Sequence, residues 1–402
     1  MLRLLALLAL LAACASPSSR RLSPAFYHWR TTLALSPTER GYLDSLGCKK
    51  LYIKVLDIGR DPTTGRIVPY SRLEVLDTAR LAGLDVVPTV FITNEVFQGM
   101  TEGEMEEVVG WFGPSPVSTP PPAPPLKGRG DTAYTETHTE INTEVTSGAA
   151  VSVYVSPPLP FRGGAGGGVD AGEEPGPALQ LDCDWTPSTR AAYFSFLEKL
   201  RAALPPGTQL SATVRLHQYK FPQETGVPPV DRGMLMLYNT GDIDDAGPRN
   251  SIFDPEDARK YVEGAPADYP LPLDVALPLF SWTLVFRDDA LWKIIPEFPE
   301  GELRDTARFG QISTEHPHAL PLWKVRRGTF VGGHYLRPGD VLRRESLSPE
   351  LLRQAAQLAA RLDLADDATV AFFHLDSAIL RRYPAQLIDS VWKTIQTGNL
   401  KK

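Results

Sequence analysis

The chain has 402 residues, of which 43% are hydrophobic and 22% charged. This composition is typical of globular proteins and leaves room for one large domain with additions. The net charge of −7 at pH 7 is mild, and the sequence contains no long block of lysine and arginine. Because nucleic-acid binding depends on such blocks, we expect no nucleic-acid partner.

The first residues have the pattern of an export signal. The segment MLRLLALLALLAACAS combines a basic Arg3, an apolar run and small residues before Cys14, and it is too short for an ordinary membrane-spanning helix. Its LLAAC resembles the lipobox of bacterial lipoproteins, which implies a signal peptide over 1–14 and a lipidated Cys14. The alternative is a plain signal peptide cut near Ala13 or Ala15. Both predict export from the cytoplasm.

Three strand–helix units follow a polar tether at 15–23 and form the first part of the domain, 24–112. The strands are AFYHWRT, KKLYIKVLDI and DVVPTVFIT. The helices are predicted from capping boxes that begin at Ser36, Ser71 and Thr101, each with a glutamate three residues later.

The alternation stops at 113–177, where proline, then threonine and glutamate, then glycine predominate. Such a composition cannot build a packed core, so we expect a disordered insertion. Strand–helix units resume over 178–398. The predicted strands there are ALQLDCDW, TQLSATVRLHQY, RGMLMLYNT, LPLDVALPLFSWTLVF and ATVAFFHLD. Short alternating segments separated by turns predict a small β insertion at 321–346, before the last helix–strand unit.

Eight strands with helices between most of them predict an α/β fold of the (β/α)8, TIM-like barrel type. The alternative is a doubly wound open sheet. A nucleotide-binding sheet of that kind carries a glycine-rich turn after its first strand, and YHWRTTLALS has none. Apart from Cys14, the cysteines are Cys48 and Cys183, which we interpret as buried thiols without a bridge between them.

Two carboxylates in one predicted strand point to a functional interior. In QLDCDW, alternation turns Gln180, Asp182 and Asp184 toward the barrel axis, with Asp184 at the carboxyl-terminal mouth, where barrel enzymes place their chemistry. A buried charge costs several kcal/mol unless it is paired. A ligand would explain the carboxylates, and an internal ion pair between Asp182 and Arg215 would explain one of them equally well.

Other predicted strands supply polar and aromatic residues to the same mouth. As substrate-binding candidates we take His28, Arg30, Lys54, Arg215, His217, Tyr238, Asn239, Trp282 and His374. Each histidine has an alternative as a hydrogen-bonded core residue, and each tryptophan as a packing residue. Among these candidate residues no H-x-H or H-x-x-x-H spacing supports a metal site, so we predict neither metal nor cofactor.

The segment LQLDCDW resembles the fourth strand of chitinase-like glycoside hydrolases, whose pattern is D-x-x-D-x-D-x-E. Aligning Asp182 and Asp184 with its second and third aspartates places Leu179 at the first aspartate and Thr186 at the glutamate. That glutamate is the family's general acid, so the resemblance does not carry over its mechanism. The chain from QLDCDW to LHQYK, GVPPVDRGMLMLYNTGDI and AFFHLD also resembles uncharacterised bacterial lipoproteins with a glycoside-hydrolase-like barrel, which implies fold and location more than reaction.

Together these patterns predict a cell-envelope lipoprotein whose barrel binds a glycan. If the glycan is also hydrolysed, Asp184 is the candidate acid or nucleophile and Asp376 or Asp182 its partner, because hydrolysis needs two carboxyl groups flanking the bond. The alternative is a non-catalytic scaffold that binds a glycan or a protein. The residues directly after Cys14 are Ala15 and Ser16, not aspartate, which favours an outer-membrane anchor facing the periplasm.

Overall fold

Eight parallel strands close into a barrel in the computed structural model, which describes residues 21–112, 177–266, 268–296, 298–299, 301–312 and 320–398. The barrel strands are β1 (Ser23–His28), β2 (Lys50–Arg60), β3 (Asp85–Ile92), β4 (Ala178–Asp182), β5 (Gln209–Arg215), β6 (Arg232–Met236), β7 (Leu273–Pro278) and β8 (Thr369–Phe373). Each pairs in parallel with its neighbours in chain order, and β8 pairs with β1. This pairing confirms the predicted TIM-like barrel.

Helices connect most of the strands and cover the outside of the barrel. They are α1 (Pro37–Ser45), α2 (Glu102–Gly110), α3 (Arg190–Ala203), α4 (Leu216–Lys220), α5 (Pro222–Thr225), α6 (Pro255–Val262), α7 (Pro349–Ala359), α8 (Ser377–Leu380) and α9 (Ala385–Gly398). Single 3-10 turns lie at Ala79–Leu81, Asn94–Phe97 and Glu302–Arg304. The predicted capping boxes at Ser36 and Thr101 both form. In the described part of the chain, no helix is long and apolar enough to span a membrane.

The helix predicted from Ser71 is wrong. Strand Ile67–Arg72 instead runs antiparallel to the long β2, and strand Glu74–Asp77 pairs with strand Thr32–Ala34. Only a single 3-10 turn remains of the predicted helix. Pairing with the carboxyl-terminal half of β2 therefore outweighs the local capping pattern.

The β insertion is larger than predicted. A five-stranded antiparallel sheet, hereafter the insertion sheet, has the strand order Ala290–Ile295, Ser281–Arg287, Val341–Ser346, Leu322–Val325 and Phe309–Ile312, with a hairpin of Thr329–Val331 and His334–Leu336 beside it. It therefore begins at residue 281, not 321. The predicted seventh strand is two strands, because β7 ends at Pro278 and the next segment joins the insertion sheet.

Two other expectations concern the cysteines and the low-complexity segment. Cys48 and Cys183 are both buried free thiols, as expected. Burial raises the pKa of the Cys48 thiol to about 12, so it is not a nucleophile at neutral pH. The signal peptide, most of the tether, and the insertion at 113–177 except Pro177 lie outside the described residues.

Candidate functional site

The inside of the barrel is closed at the amino-terminal ends of the strands. Arg232 forms a bidentate ion pair with Asp274, with N–O distances of 2.9 and 3.2 Å, and also contacts Asp367. Above it, the stacked rings of Tyr27 and Tyr52 fill the axis. The Tyr27 hydroxyl donates a 2.6 Å hydrogen bond to Gln180. These layers form a floor, so a ligand has access only from the carboxyl-terminal mouth.

Half-buried aromatic rings line the mouth above this floor. Trp29 meets Phe91 and Phe373 edge to face, with ring centroids 6.4 and 5.2 Å apart. Tyr238 packs on Phe373 and on Phe280. Because these rings keep part of their surface exposed, the mouth offers an apolar wall to a ligand.

Asp182 and Asp184 both face this mouth from β4 and the residues after it. Asp182 accepts a 2.7 Å hydrogen bond from the Thr213 hydroxyl. Burial, with the negative charge of Asp184 nearby, raises the pKa of Asp182 to about 7. A carboxyl group with that pKa carries a proton half of the time at neutral pH and can act as an acid.

Asp184 pairs with Arg215, at 3.3 Å between Arg215 Nη1 and Asp184 Oδ2. Its other oxygen, Oδ1, is enclosed and accepts no hydrogen bond from the described residues. Burial therefore raises the pKa of Asp184, and the Arg215 guanidinium opposes that shift. The suggested ion pair between Asp182 and Arg215 does not form, since Arg215 reaches the carboxylate nearer the solvent.

Lys54 lies inside the mouth, as predicted from the alternation of side chains along its strand. Its side chain is only 6% exposed, its ammonium lies 5.1 Å from the Trp29 ring centroid, and it forms a 3.0 Å ion pair with Asp57. Strict alternation from Lys54 would place Asp57 on the opposite face of the strand. A bulge at Val55 shifts the register and turns Asp57 inward as well, so Asp57 is a mouth residue that strict alternation missed.

The inward placement of His28 and Arg30 is wrong. Tyr27 and Trp29 take the inner face of β1, whereas Phe26 packs outward on Tyr42 of α1. His28 is therefore fully buried on the helix side, and Arg30 pairs with Glu39 at 2.8 Å. Both faces of AFYHWRT carry aromatic and polar residues, so alternation alone could not decide between them.

Asp376 and His374 lie beside that group and not beside Asp184. Asp376 caps α8 by accepting from the Ala378 backbone N–H at 2.7 Å, and its other oxygen lies 3.6 Å from Arg30. Burial lowers the pKa of His374 to about 4 and that of His28 to about 3, so both imidazoles are neutral. The structure therefore gives Asp376 a capping role and does not bring it to the proposed partner, Asp184.

His217 and Trp282 leave the predicted strands. The β5 strand ends at Arg215, whose backbone N–H donates to Gln218 Oε1 at 2.8 Å as α4 begins. His217 is consequently an exposed helix residue, and its ring is tilted against that of Phe221 at 5.1 Å between centroids. Trp282 is buried in the insertion sheet, and its indole N–H donates to Glu345 at 2.9 Å.

Tyr238 and Asn239 follow β6 at the mouth. Asn239 has a left-handed backbone with φ of 53°, and its N–H donates to the Ile252 carbonyl. Within the described residues, no group of three or more His, Cys, Asp or Glu side chains is arranged to hold a metal ion. Acidic and basic groups that meet in the mouth include Lys54, Asp57, Asp182, Asp184 and Arg215.

Comparison with known proteins gives distant similarities only. No family model matches the sequence, and no curated protein matches it. The spore cortex-lytic enzyme SleL of Bacillus cereus is similar over 95% of this chain and 75% of its own, with 10% identity and a TM-score of 0.45. A chitinase from Rhizomucor miehei is similar over 94% of this chain and 100% of its own, with 11% identity and a TM-score of 0.43.

A chitinase from Bacteroides thetaiotaomicron is similar over 92% of this chain and 96% of its own, with 10% identity and a TM-score of 0.42. Similarities of this size carry no argument about the reaction. The barrel assignment rests on the strand pairing, and any assignment of function rests on the mouth.

Proposed function

We propose that the carboxyl-terminal mouth of the barrel binds a glycan. The observation that supports this most directly is the wall of half-exposed rings, Trp29, Phe91, Tyr238 and Phe373, beside charged hydrogen-bonding groups. Sugar rings have apolar faces that stack on aromatic rings and hydroxyl edges that need polar partners. A concave, mainly apolar site with a few polar groups suits such a ligand.

The charge at the mouth favours an uncharged glycan. Lys54 pairs with Asp57 and Arg215 with Asp184, so each cation has a carboxylate partner. Asp182, with a pKa of about 7, adds at most a partial negative charge at neutral pH. Neither an acidic nor a basic ligand would find a surplus of opposite charge among these five groups.

Anchoring by a lipid is the second part of the proposal and rests on the sequence alone. The apolar run before Cys14 and the small residues beside it support a lipoprotein of the cell envelope, and the absence of an aspartate after Cys14 favours the outer membrane, facing the periplasm. Metabolic labelling with a fatty acid, compared between the natural chain and Cys14→Ser, tests the anchor. Labelling that survives the substitution would contradict it.

A screen of glycan binding and hydrolysis tests the main proposal. The protein without residues 1–20 is applied to a glycan array and incubated with soluble oligosaccharides. Asp184→Asn then separates the alternatives: a hydrolase that uses Asp184 as its acid or nucleophile loses turnover and still binds, whereas a non-catalytic scaffold has no turnover to lose. Asp389→Asn, an exposed change on α9, is the matched control. If Trp29→Ala leaves all binding unchanged, the mouth is not the site.

A further inference from the structure

Three mouth residues lie in one row across three neighbouring strands. In the parallel pairing of β2 with β3, Asp57 is opposite Phe91. In the pairing of β3 with β4, Phe91 is opposite Asp182. Register places directly opposed residues side by side across neighbouring strands, so the two aspartates flank Phe91 in this row.

The bulge in β2 is what brings Asp57 into this row. The register shifts between Lys54 and Leu56, so Lys54 is opposite Thr89 and Asp57 opposite Phe91, and both face inward. The extra residue, Val55, uses its carbonyl to accept the Leu73 N–H at 3.0 Å. Bulges often redirect a side chain next to an active site, and this one adds a carboxylate.

The spacing of the two aspartates suits one kind of glycoside hydrolysis. Neighbouring strands are about 4.8 Å apart, so the backbones of Asp57 and Asp182 are about 9–10 Å apart along the sheet, and inward side chains bring the carboxyl groups closer. Inverting glycosidases hold their two carboxyl groups about 6.5–9.5 Å apart, whereas retaining enzymes hold them about 5 Å apart. Asp182 is the last residue of β4 and Asp184 follows two residues later, so this pair does not span neighbouring strands as Asp57 and Asp182 do.

The two aspartates also have different surroundings. Asp57 is in an ion pair with Lys54. Asp182 is half-buried and lies close enough to Asp184 and Asp57 for both negative charges to raise its pKa, with Thr213 as its hydrogen-bond donor. Two carboxyl groups in unlike environments can divide the roles of acid and base.

We propose that Asp182 and Asp57 are the general acid and general base of an inverting glycoside hydrolysis, with the reacting sugar ring stacked on Phe91. The proposal rests on the proposed glycan binding. Asp182 gives its proton to the glycosidic oxygen as the bond from that oxygen to the anomeric carbon breaks. Asp57 takes a proton from a water molecule, whose oxygen bonds to the anomeric carbon from the opposite face. Water is the only co-reactant, and the second product is the free alcohol.

The test uses the full chain with two sets of probes. One set is chito-, cello- and xylo-oligosaccharides, and the other is the matching 2,4-dinitrophenyl β-glycosides, whose leaving group needs no protonation. Proton NMR of the first product formed by the natural chain gives the anomeric configuration without any substitution. We expect the α-anomer from a β-linked probe.

Two variants then assign the roles, with Asp389→Asn as control. Asp57→Asn should lower kcat about 10²–10⁴-fold on both sets of probes, because the base is needed with any leaving group. Asp182→Asn should lower kcat by a similar factor on the oligosaccharides and less than about 10-fold on the dinitrophenyl glycosides. Equal losses on both sets for Asp182→Asn would overturn its role as acid.

The remaining outcomes separate this inference from the glycan-binding proposal. Release of the β-anomer, or an active Asp57→Asn, would overturn the acid–base pair while leaving glycan binding intact. Binding of oligosaccharides without hydrolysis of any probe would do the same. If no oligosaccharide binds and none is hydrolysed, the proposed function itself fails.

Discussion

Arg343 and Glu345 lie two residues apart on one strand of the insertion sheet and form an ion pair in which both side chains are completely buried, at 2.6 Å between Nε and Oε1. The second oxygen of Glu345 accepts hydrogen bonds from Trp282 and from the Ser251 and Ile252 backbone N–H groups of a loop that follows β6. Arg343 donates to carbonyls of the same loop. The pair therefore joins the insertion sheet to a loop of the barrel.

Replacing Glu345 by glutamine should destabilise the protein by about 3–5 kcal/mol, because it leaves the buried Arg343 charge without an opposite charge beside it. Urea unfolding followed by circular dichroism measures the loss. Glu350→Gln is the matched control, since its pair with Arg353 is exposed and worth at most about 1 kcal/mol. Equal effects of the two substitutions would show that the buried pair does not join sheet and loop.

The raised pKa of Asp182 predicts a pH dependence of stability. The ordinary aspartate pKa is 3.8 and the folded value is about 7, so the unfolded chain loses this proton first as the pH rises. This group therefore lowers the free energy of unfolding between about pH 4 and pH 7. The free energy of unfolding of Asp182→Asn, relative to that of the natural chain, should therefore rise by about 2 kcal/mol between pH 4 and pH 7. This is less than the full pKa shift implies, because the Asp182 side chain keeps some contact with solvent.

Unfolding in urea at pH 4, 5.5 and 7 measures that difference between the two chains, in which the contributions of all other groups cancel. A difference that stays constant with pH would mean that Asp182 is ionised in the folded protein. Asp182 could then not supply a proton at neutral pH.

For His28 and His374 we expect the opposite pH dependence, in which the free energy of unfolding falls as the pH falls. Their folded pKa values of about 3 and about 4 lie below the ordinary 6.5, so the unfolded chain takes up protons first as the pH falls. Each histidine should therefore reduce stability by about 1–2 kcal/mol at pH 5 relative to pH 7. Melting of His28→Gln and His374→Gln at both pH values measures this, with the exposed His217→Gln as control. A slope that none of these substitutions changes would refute it.

Much of the fold could be predicted from the sequence because the signals are local. Ser36 and Thr101 begin helices by capping-box chemistry, which depends only on neighbouring residues. Ser71 has the same pattern, but its pairing with β2 decides its conformation. The pairing partner, Asp57, lies outside the four residues that form the capping pattern. The division of the seventh strand after Pro278 likewise depends on which sheet the following residues join.

The candidate site could be predicted only in part for a related reason. Alternation places Asp182 and Lys54 correctly because their strands carry polar residues on the inner face and apolar residues on the outer face. It fails for Asp57, because the extra residue Val55 reverses which side chains face inward in the rest of the strand. No sequence pattern marks this bulge. It fails for His28, since both faces of β1 carry aromatic residues.

Lys54 provides a test of whether the two sides of the mouth face each other. Its positive charge on β2 holds down the pKa of Asp182 on β4, although burial outweighs it. Lys54→Met removes that charge and breaks the 3.0 Å ion pair with Asp57. Both changes raise the Asp182 pKa further above about 7.

Carbon-13 NMR of the aspartate carboxyl groups, titrated in the natural chain and the variant, measures the shift. Lys393→Met, which breaks an exposed pair with Asp389, should leave it unchanged. If the Asp182 pKa is the same in Lys54→Met as in the natural chain, Lys54 and Asp182 do not share the mouth, and the row through Phe91 cannot hold a single sugar ring between two carboxyl groups.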